Sequence, residues 1–153
     1  MTETRSDEVS IPALLRAARG CYAQAITAQL AAAGIEDLPR HGAFVVGGLA
    51  FRGRVAIDQL RGLGVSKQAV SQLIDSLVLR GYLNREVDPA DRRRMTIELT
   101  DRGRAVADEV GEAVGRVEAE LAAMITPDEL AGLRAGLAAL ARIRERSEPT
   151  GSA

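Results

Sequence analysis

Apolar residues recur at three- and four-residue steps through Ile11, Leu14, Leu15, Ala18, Cys21, Tyr22, Ala25, Ile26, Leu30 and Ala33. That is the period of one helix face. Ser10 suits the N-cap with Pro12 in the first turn, and Gly34 ends the helix. The stripe is wide, which predicts burial against more than one partner helix. Pro39 opens a second helix carrying His41, Phe44, Val45, Leu49 and Phe51. Gly47-Gly48 inside it costs about 1 kcal/mol per glycine relative to Ala. Close packing of a neighbouring helix explains the pair, as does a hinge near a ligand pocket.

After Arg52-Gly53-Arg54 the pattern predicts a short helix from about Ala56 to Arg61, with Ile57, Leu60 and Leu63 inward. Gly62-Leu63-Gly64-Val65 is the turn, and Ser66 caps the next helix. Val70, Leu73, Ile74, Leu77 and Val78 form its buried stripe, and Gly81 fits the C′ position. Two helices across a short Gly-bearing turn are the helix-turn-helix pattern. Two runs alternating at period two follow, Tyr82 to Val87 and Met95 to Leu99, as half-buried strands do. The linker between them, Asp88-Pro89-Ala90-Asp91-Arg92-Arg93-Arg94, exceeds a tight hairpin and makes a wing.

Thr100 caps a long final helix pair. Val110, Val114, Val117, Leu121 and Met124 form a heptad-like seam, continued by Leu130, Leu133, Leu137 and Leu140. Thr126 and Glu129 make a capping box between them. The expected fold is mainly α with a small β-hairpin wing: a winged helix-turn-helix between N- and C-terminal dimerisation helices. The expected segments are a flexible 1–9, helices over 10–51, the DNA-binding module over 52–104, dimerisation helices over 105–146 and a flexible 147–153, all in one interlocked domain.

The net charge of −1 is unevenly spread. Residues 52–104 carry eleven basic and seven acidic side chains, whereas 105–153 carry five and nine. The positive field is therefore central, and local distribution governs attraction for phosphate. With one Cys and one His, an internal disulfide framework and a Cys/His metal cluster are excluded. No cofactor is expected. There is no nucleophile–base constellation and no glycine-rich phosphate loop, so an enzyme is not expected. No segment has the length of a membrane span, and the polar, partly acidic N-terminus is unlike a secretory signal. A cytoplasmic, nucleoid-associated location is the expectation.

In a helix-turn-helix the N-terminal part of the second helix enters the major groove of double-stranded DNA. Ser66, Lys67, Gln68, Ser71 and Gln72 occupy that part. Lys67 can donate to guanine or phosphate, and the Gln amides can pair with adenine N6/N7. Arg92, Arg93 and Arg94 on the wing suit a minor groove, where narrow A·T tracts concentrate negative potential. Arg54 is a further candidate cation. Asp91 either aims a neighbouring arginine, Arg93 above all, or stabilises the turn.

The run Val65-Ser66-Lys67-Gln68-Ala69-Val70-Ser71-Gln72-Leu73-Ile74-Asp75-Ser76-Leu77, with Gly81-Tyr82-Leu83, resembles the recognition helix and strand entry of MarR-type bacterial regulators. Asp88-Pro89-Ala90-Asp91-Arg92-Arg93 and Leu99-Thr100-Asp101-Arg102-Gly103-Arg104 resemble that family's wing and following helix. The resemblance is dense over residues 55–106 and architectural elsewhere. It implies a homodimer with interlocked terminal helices, Asp91 and Arg93 as paired wing residues, and Arg93 in the minor groove. It also implies a repressor released by a small molecule, with Tyr22, His41 and Phe44 as candidate pocket residues. Many members carry Arg where this chain has Gln72, and often a basic residue at Ser76, so this reading helix is less basic than usual. A redox subgroup senses peroxide through a first-helix cysteine, which brings in Cys21. That residue lies mid-helix on the apolar stripe, where a buried, inert thiol is the commoner fate. The competing functions are redox sensing through Cys21 and a winged-helix module that binds protein. The latter predicts a neutral wing and an apolar exposed helix face, and this chain has neither.

Overall fold

A computed structural model describes residues 9–53, 55–56 and 67–147. The elements run α1 (Ile11–Ala32), α2 (Gly42–Arg52), β1 (Val55–Ala56), α3 (Lys67–Leu79), β2 (Leu83–Val87), β3 (Met95–Leu99), α4 (Asp101–Met124) and α5 (Pro127–Ser147). They divide into two compact units, Met1–Gly115 and Arg116–Ala153. No helix among the described residues is long and apolar enough to cross a membrane.

The first unit has one core. Val45, Val46 and Leu49 of α2 meet Val70, Ile74 and Leu77 of α3, Tyr82, Leu83, Ile97 and Leu99 of the sheet region, and Val106, Ala107 and Val110 of α4. Both helix ends flanking this core close by the same device. Gly34 takes φ 72° after α1, and Ile35 N–H returns to Leu30 O. Gly81 takes φ 75° after α3, and Tyr82 N–H returns to Leu77 O. Each glycine sits left-handed without a Cβ penalty and satisfies carbonyls the helix would leave open. Of the two glycines in α2, a Cβ on Gly47 would lie 3.2 Å from Val110 Cγ1, whereas Gly48 faces open space. Close packing thus accounts for the first only.

Two expectations are corrected. The second helix begins at Gly42 rather than Pro39, because His41 is its N-cap in a left-handed conformation, φ 66°. Ala56 is not helical. With Val55 it forms a strand on the far side of β3, Val55 opposite Ile97 and Ala56 opposite Thr96, so the hairpin becomes a sheet of order β1-β3-β2. The first helix of the helix-turn-helix and its turn otherwise fall at 57–66, outside the described residues. The α1 stripe is covered only in part within the chain. Leu30 alone is buried there, with Ile26 packed on the core, while Ile11, Leu14 and Leu15 stay exposed.

In the second unit Thr126 N–H donates to Glu129 Oε2 at 2.8 Å and Glu129 N–H returns to Thr126 Oγ1. The Thr126 N–H, and then the Thr126 hydroxyl, which also donates to Oε2 at 2.8 Å, favour the carboxylate and hold Glu129 below its ordinary pKa. The row Leu133, Leu137, Leu140 and Ile143 along α5 is exposed.

The tightest junction is at the start of α4. Thr100 Oγ1 accepts Gly103 N–H at 3.0 Å, an N-cap bond, and the Thr100 hydroxyl donates back to Gly81 O at 2.6 Å. This draws the first turn so close to β2 that a Cβ on Gly103 would sit 2.1 Å from Tyr82 O. Backbone must therefore move to admit any side chain. Gly103→Ala is expected to cost about 1–3 kcal/mol, as overpacking does. That corresponds to a thermal midpoint lowered by roughly 5 °C. A melt followed by circular dichroism that matches the parent would contradict the assignment.

Candidate nucleic-acid interface

Gln68, Ser71, Gln72 and Asp75 are all exposed. At 100° per residue they fall within an arc of about 100°, opposite the buried Val70, Ile74 and Leu77. The core thus takes one side of α3 and presents these polar side chains on the other. Arg54 and Ser66 lie outside the described residues. Lys67 is the first residue of α3, and its side chain is likewise outside them.

The wing loop is built by its acids. Asp88 N–H donates to Arg94 O at 2.9 Å and closes the loop. Asp88 Oδ1 accepts Ala90 N–H at 2.9 Å, and Asp91 Oδ1 accepts Arg93 N–H at 3.0 Å, two side-chain-to-backbone turns in succession. Asp91 therefore grips the backbone of Arg93, the turn-holding role. Arg92, Arg93 and Arg94 are all exposed. The guanidinium groups of Arg92 and Arg93 have no partner among the described residues, which leaves two cations on a fixed backbone.

Two groupings have no counterpart in the sequence pattern. Asp75 on the exposed face of α3 would repel phosphate, but Arg85 of β2 reaches its Oδ1 at 2.6 Å. Exposed pairs of this kind contribute little stability. Its consequence is positional, since it ties α3 to the strand that carries the wing. Alternation does place Arg85 outward on β2, yet only the fold shows which residue it meets.

The second grouping centres on Asp37, in the loop between α1 and α2. Its carboxylate accepts Tyr82 Oη–H and Arg102 Nη2, at 2.9 Å for Oδ2, and its carbonyl accepts Arg80 Nη1 at 2.7 Å. Arg102 also donates to Arg80 O and lies 4.3 Å above the Tyr82 ring, within cation–π range. The Tyr82 hydrogen bond, with Arg102 added, holds Asp37 below its ordinary 3.8 despite some burial. Burial first, then the bond to Asp37, pushes the Tyr82 phenol above 10.0.

One cleft in the first unit is not lined by the residues proposed for a ligand. Phe44 is 65% exposed, His41 is exposed at the mouth of α2, and Tyr22 is half-buried on α1. A cleft of 360 Å³ lies elsewhere, among Leu49, Leu99 and Ala107 with Glu98, Arg104 and Asp108 at its polar side. Arg104 is already held by Leu99 O and Asp101 Oδ1. Cys21 is exposed rather than buried. No group of His, Cys, Asp or Glu suited to a metal occurs among the described residues.

Known proteins share both the segment and the fold. Residues 60–94 match the model of the MarR family. The multiple antibiotic resistance protein MarR of Escherichia coli (strain K12) is 33% identical over 72 residues, 46% of this chain and 50% of that protein. Its namesake from Salmonella typhimurium is 31% identical over 72 residues. The chain spans about half the length of the curated relatives it matches. Among solved structures, NadR in complex with 4-hydroxyphenylacetate aligns with a TM-score of 0.73 at 24% identity, covering 93% of this chain and 99% of that one. A mutant MarR from E. coli complexed with operator DNA aligns at 0.67 and 21%, covering 91% and 99%. At these identities the likeness establishes the fold.

The lowered Asp37 fixes a sign. A carboxylate whose folded pKa lies below its unfolded 3.8 contributes stability that is present above that pH and lost as pH falls through the folded value. Thermal midpoints measured from pH 5 to pH 2 are expected to fall, and to fall less steeply in Asp37→Asn. Parallel curves would show that Asp37 is not coupled to folding.

Proposed function

With a winged helix of MarR type in both sequence and fold, we propose that this chain is a sequence-specific DNA-binding transcriptional regulator. It acts as a homodimer on a pseudo-palindromic operator and represses until a small molecule releases it. The observation that carries the reading is the pairing of an exposed amide-and-hydroxyl face on α3 with two exposed arginines on a braced wing. Gln68 and Gln72 supply hydrogen-bond readout in the major groove. Arg92 and Arg93 supply attraction, and Arg93 enters the minor groove. The operator complex of the mutant MarR and the 4-hydroxyphenylacetate complex of NadR support a DNA partner and a small-molecule effector respectively.

Two apolar rows support the dimer. Ile11, Leu14 and Leu15 on α1, and Leu133, Leu137, Leu140 and Ile143 on α5, remain exposed in the single chain. Covering them with a second copy removes apolar surface from water. A twofold dimer then sets two reading helices about 34–36 Å apart, one turn of duplex.

Site selection from randomised duplex DNA is expected to return an inverted repeat with that spacing. On the selected site Arg93→Ala should weaken binding and lower the slope of log K against log salt by about 1, since one phosphate-neutralising cation is lost. Unchanged affinity and slope would overturn the wing's role. Leu137→Glu should shift the sedimenting species from twice the chain mass to once and weaken operator binding with it. A variant that remains dimeric would remove α5 from the interface.

A further inference from the structure

We propose that Asp37 is a positioning residue for the reading helix: from the loop outside the winged module, it fixes the C-terminal end of α3 and so aims the side chains at its N-terminal end. This rests on the DNA-binding reading above.

Three bonds meet at the exit of α3. Arg80, the residue just past the helix, is held from both sides, its guanidinium by Asp37 O and its carbonyl by Arg102 Nη1. Tyr82, whose N–H closes the helix on Leu77 O, is held at its hydroxyl by the Asp37 carboxylate. Arg102 then ties the same carboxylate to the first turn of α4 through both oxygens, at 3.0 and 2.9 Å. Through its carbonyl and its carboxylate together, Asp37 thus touches the α3 exit, the β2 entry and the α4 start. It belongs to none of them, since it follows α1 and precedes α2.

Helix geometry turns this hold into aim. Thirteen residues at 1.5 Å each make α3 about 20 Å long. A tilt of about 5° at its fixed end displaces the opposite end by roughly 1.7 Å over that length. Hydrogen bonds from amide side chains to base edges are lost at such a displacement. Attraction to phosphate, which falls off over a Debye length of about 8–10 Å, hardly changes. Loss of the tie should therefore spare non-specific binding and weaken specific binding.

The test compares the parent with Asp37→Asn, which keeps an acceptor for Tyr82 but removes the charge that Arg102 holds, and with the conservative Asp37→Glu. Affinities are measured for the selected operator and for a random duplex of equal length across a salt series, with thermal midpoints alongside. Asp37→Asn is expected to lower the operator-to-random ratio about tenfold, the scale of a lost bidentate contact. Its random-duplex affinity and salt slope should match the parent, and Asp37→Glu should recover part of the ratio. An unchanged ratio overturns the proposal. So does an equal loss on both duplexes in step with the thermal midpoint, the mark of a merely structural residue. Amide exchange at Gly81 and Tyr82 gives a readout without DNA. Exchange in Asp37→Asn no faster than in the parent overturns the tie even if the parent binds no duplex. A parent that binds no duplex while these amides do speed up refutes the DNA reading and leaves the tie standing.

Discussion

Tyr82 is the residue on which three elements depend. Its N–H closes α3, its carbonyl accepts Thr100 N–H at 3.1 Å, and its ring is wholly buried. The same carbonyl lies where any side chain at Gly103 would have to go. The end of the reading helix, the root of the wing and the start of α4 are thus fixed against one peptide group. Buried backbone groups must find partners or lose free energy. Here one residue's polar groups are all spoken for, and the geometry they share leaves little play.

The polar surface follows from that constraint. With α3 held by its apolar face and its exit, Gln68, Ser71 and Gln72 have only one direction to face. With β2 anchored at Leu83 and paired through Val87 opposite Met95, the arginine loop sits beyond the end of the ladder. Arg85 adds a lateral tie from that ladder to Asp75. The site is two charged or polar surfaces held in register by contacts that contain none of the residues expected to read DNA.

How much of this the chain announces depends on range. Local signals were legible: Gly34 and Gly81 as left-handed helix ends, Thr100 and Thr126 as caps, the period-two runs of the wing, and the polar face opposite Val70, Ile74 and Leu77. Each is decided within one or two turns of its own neighbours. Contacts between distant segments were not. Asp37 precedes a proline-bearing loop and offers no pattern that names Tyr82 or Arg102, which lie 45 and 65 residues on. Ala56 reads as helical by composition, but pairing with β3 overrides that propensity. The stripe of α1 is plainly apolar in the sequence, yet periodicity does not say whether the covering partner belongs to the same chain.

The braced wing has an energetic side as well. Asp88 and Asp91 spend their hydrogen-bonding capacity on backbone N–H groups, so the loop is shaped before anything binds. A polyanion that docks there meets arginines on a backbone that is already set, so little of the chain has to be ordered on contact. Dissolved salt then acts on the pull between wing and partner by screening it, and leaves the shape of the loop, which rests on short-range hydrogen bonds, as it is.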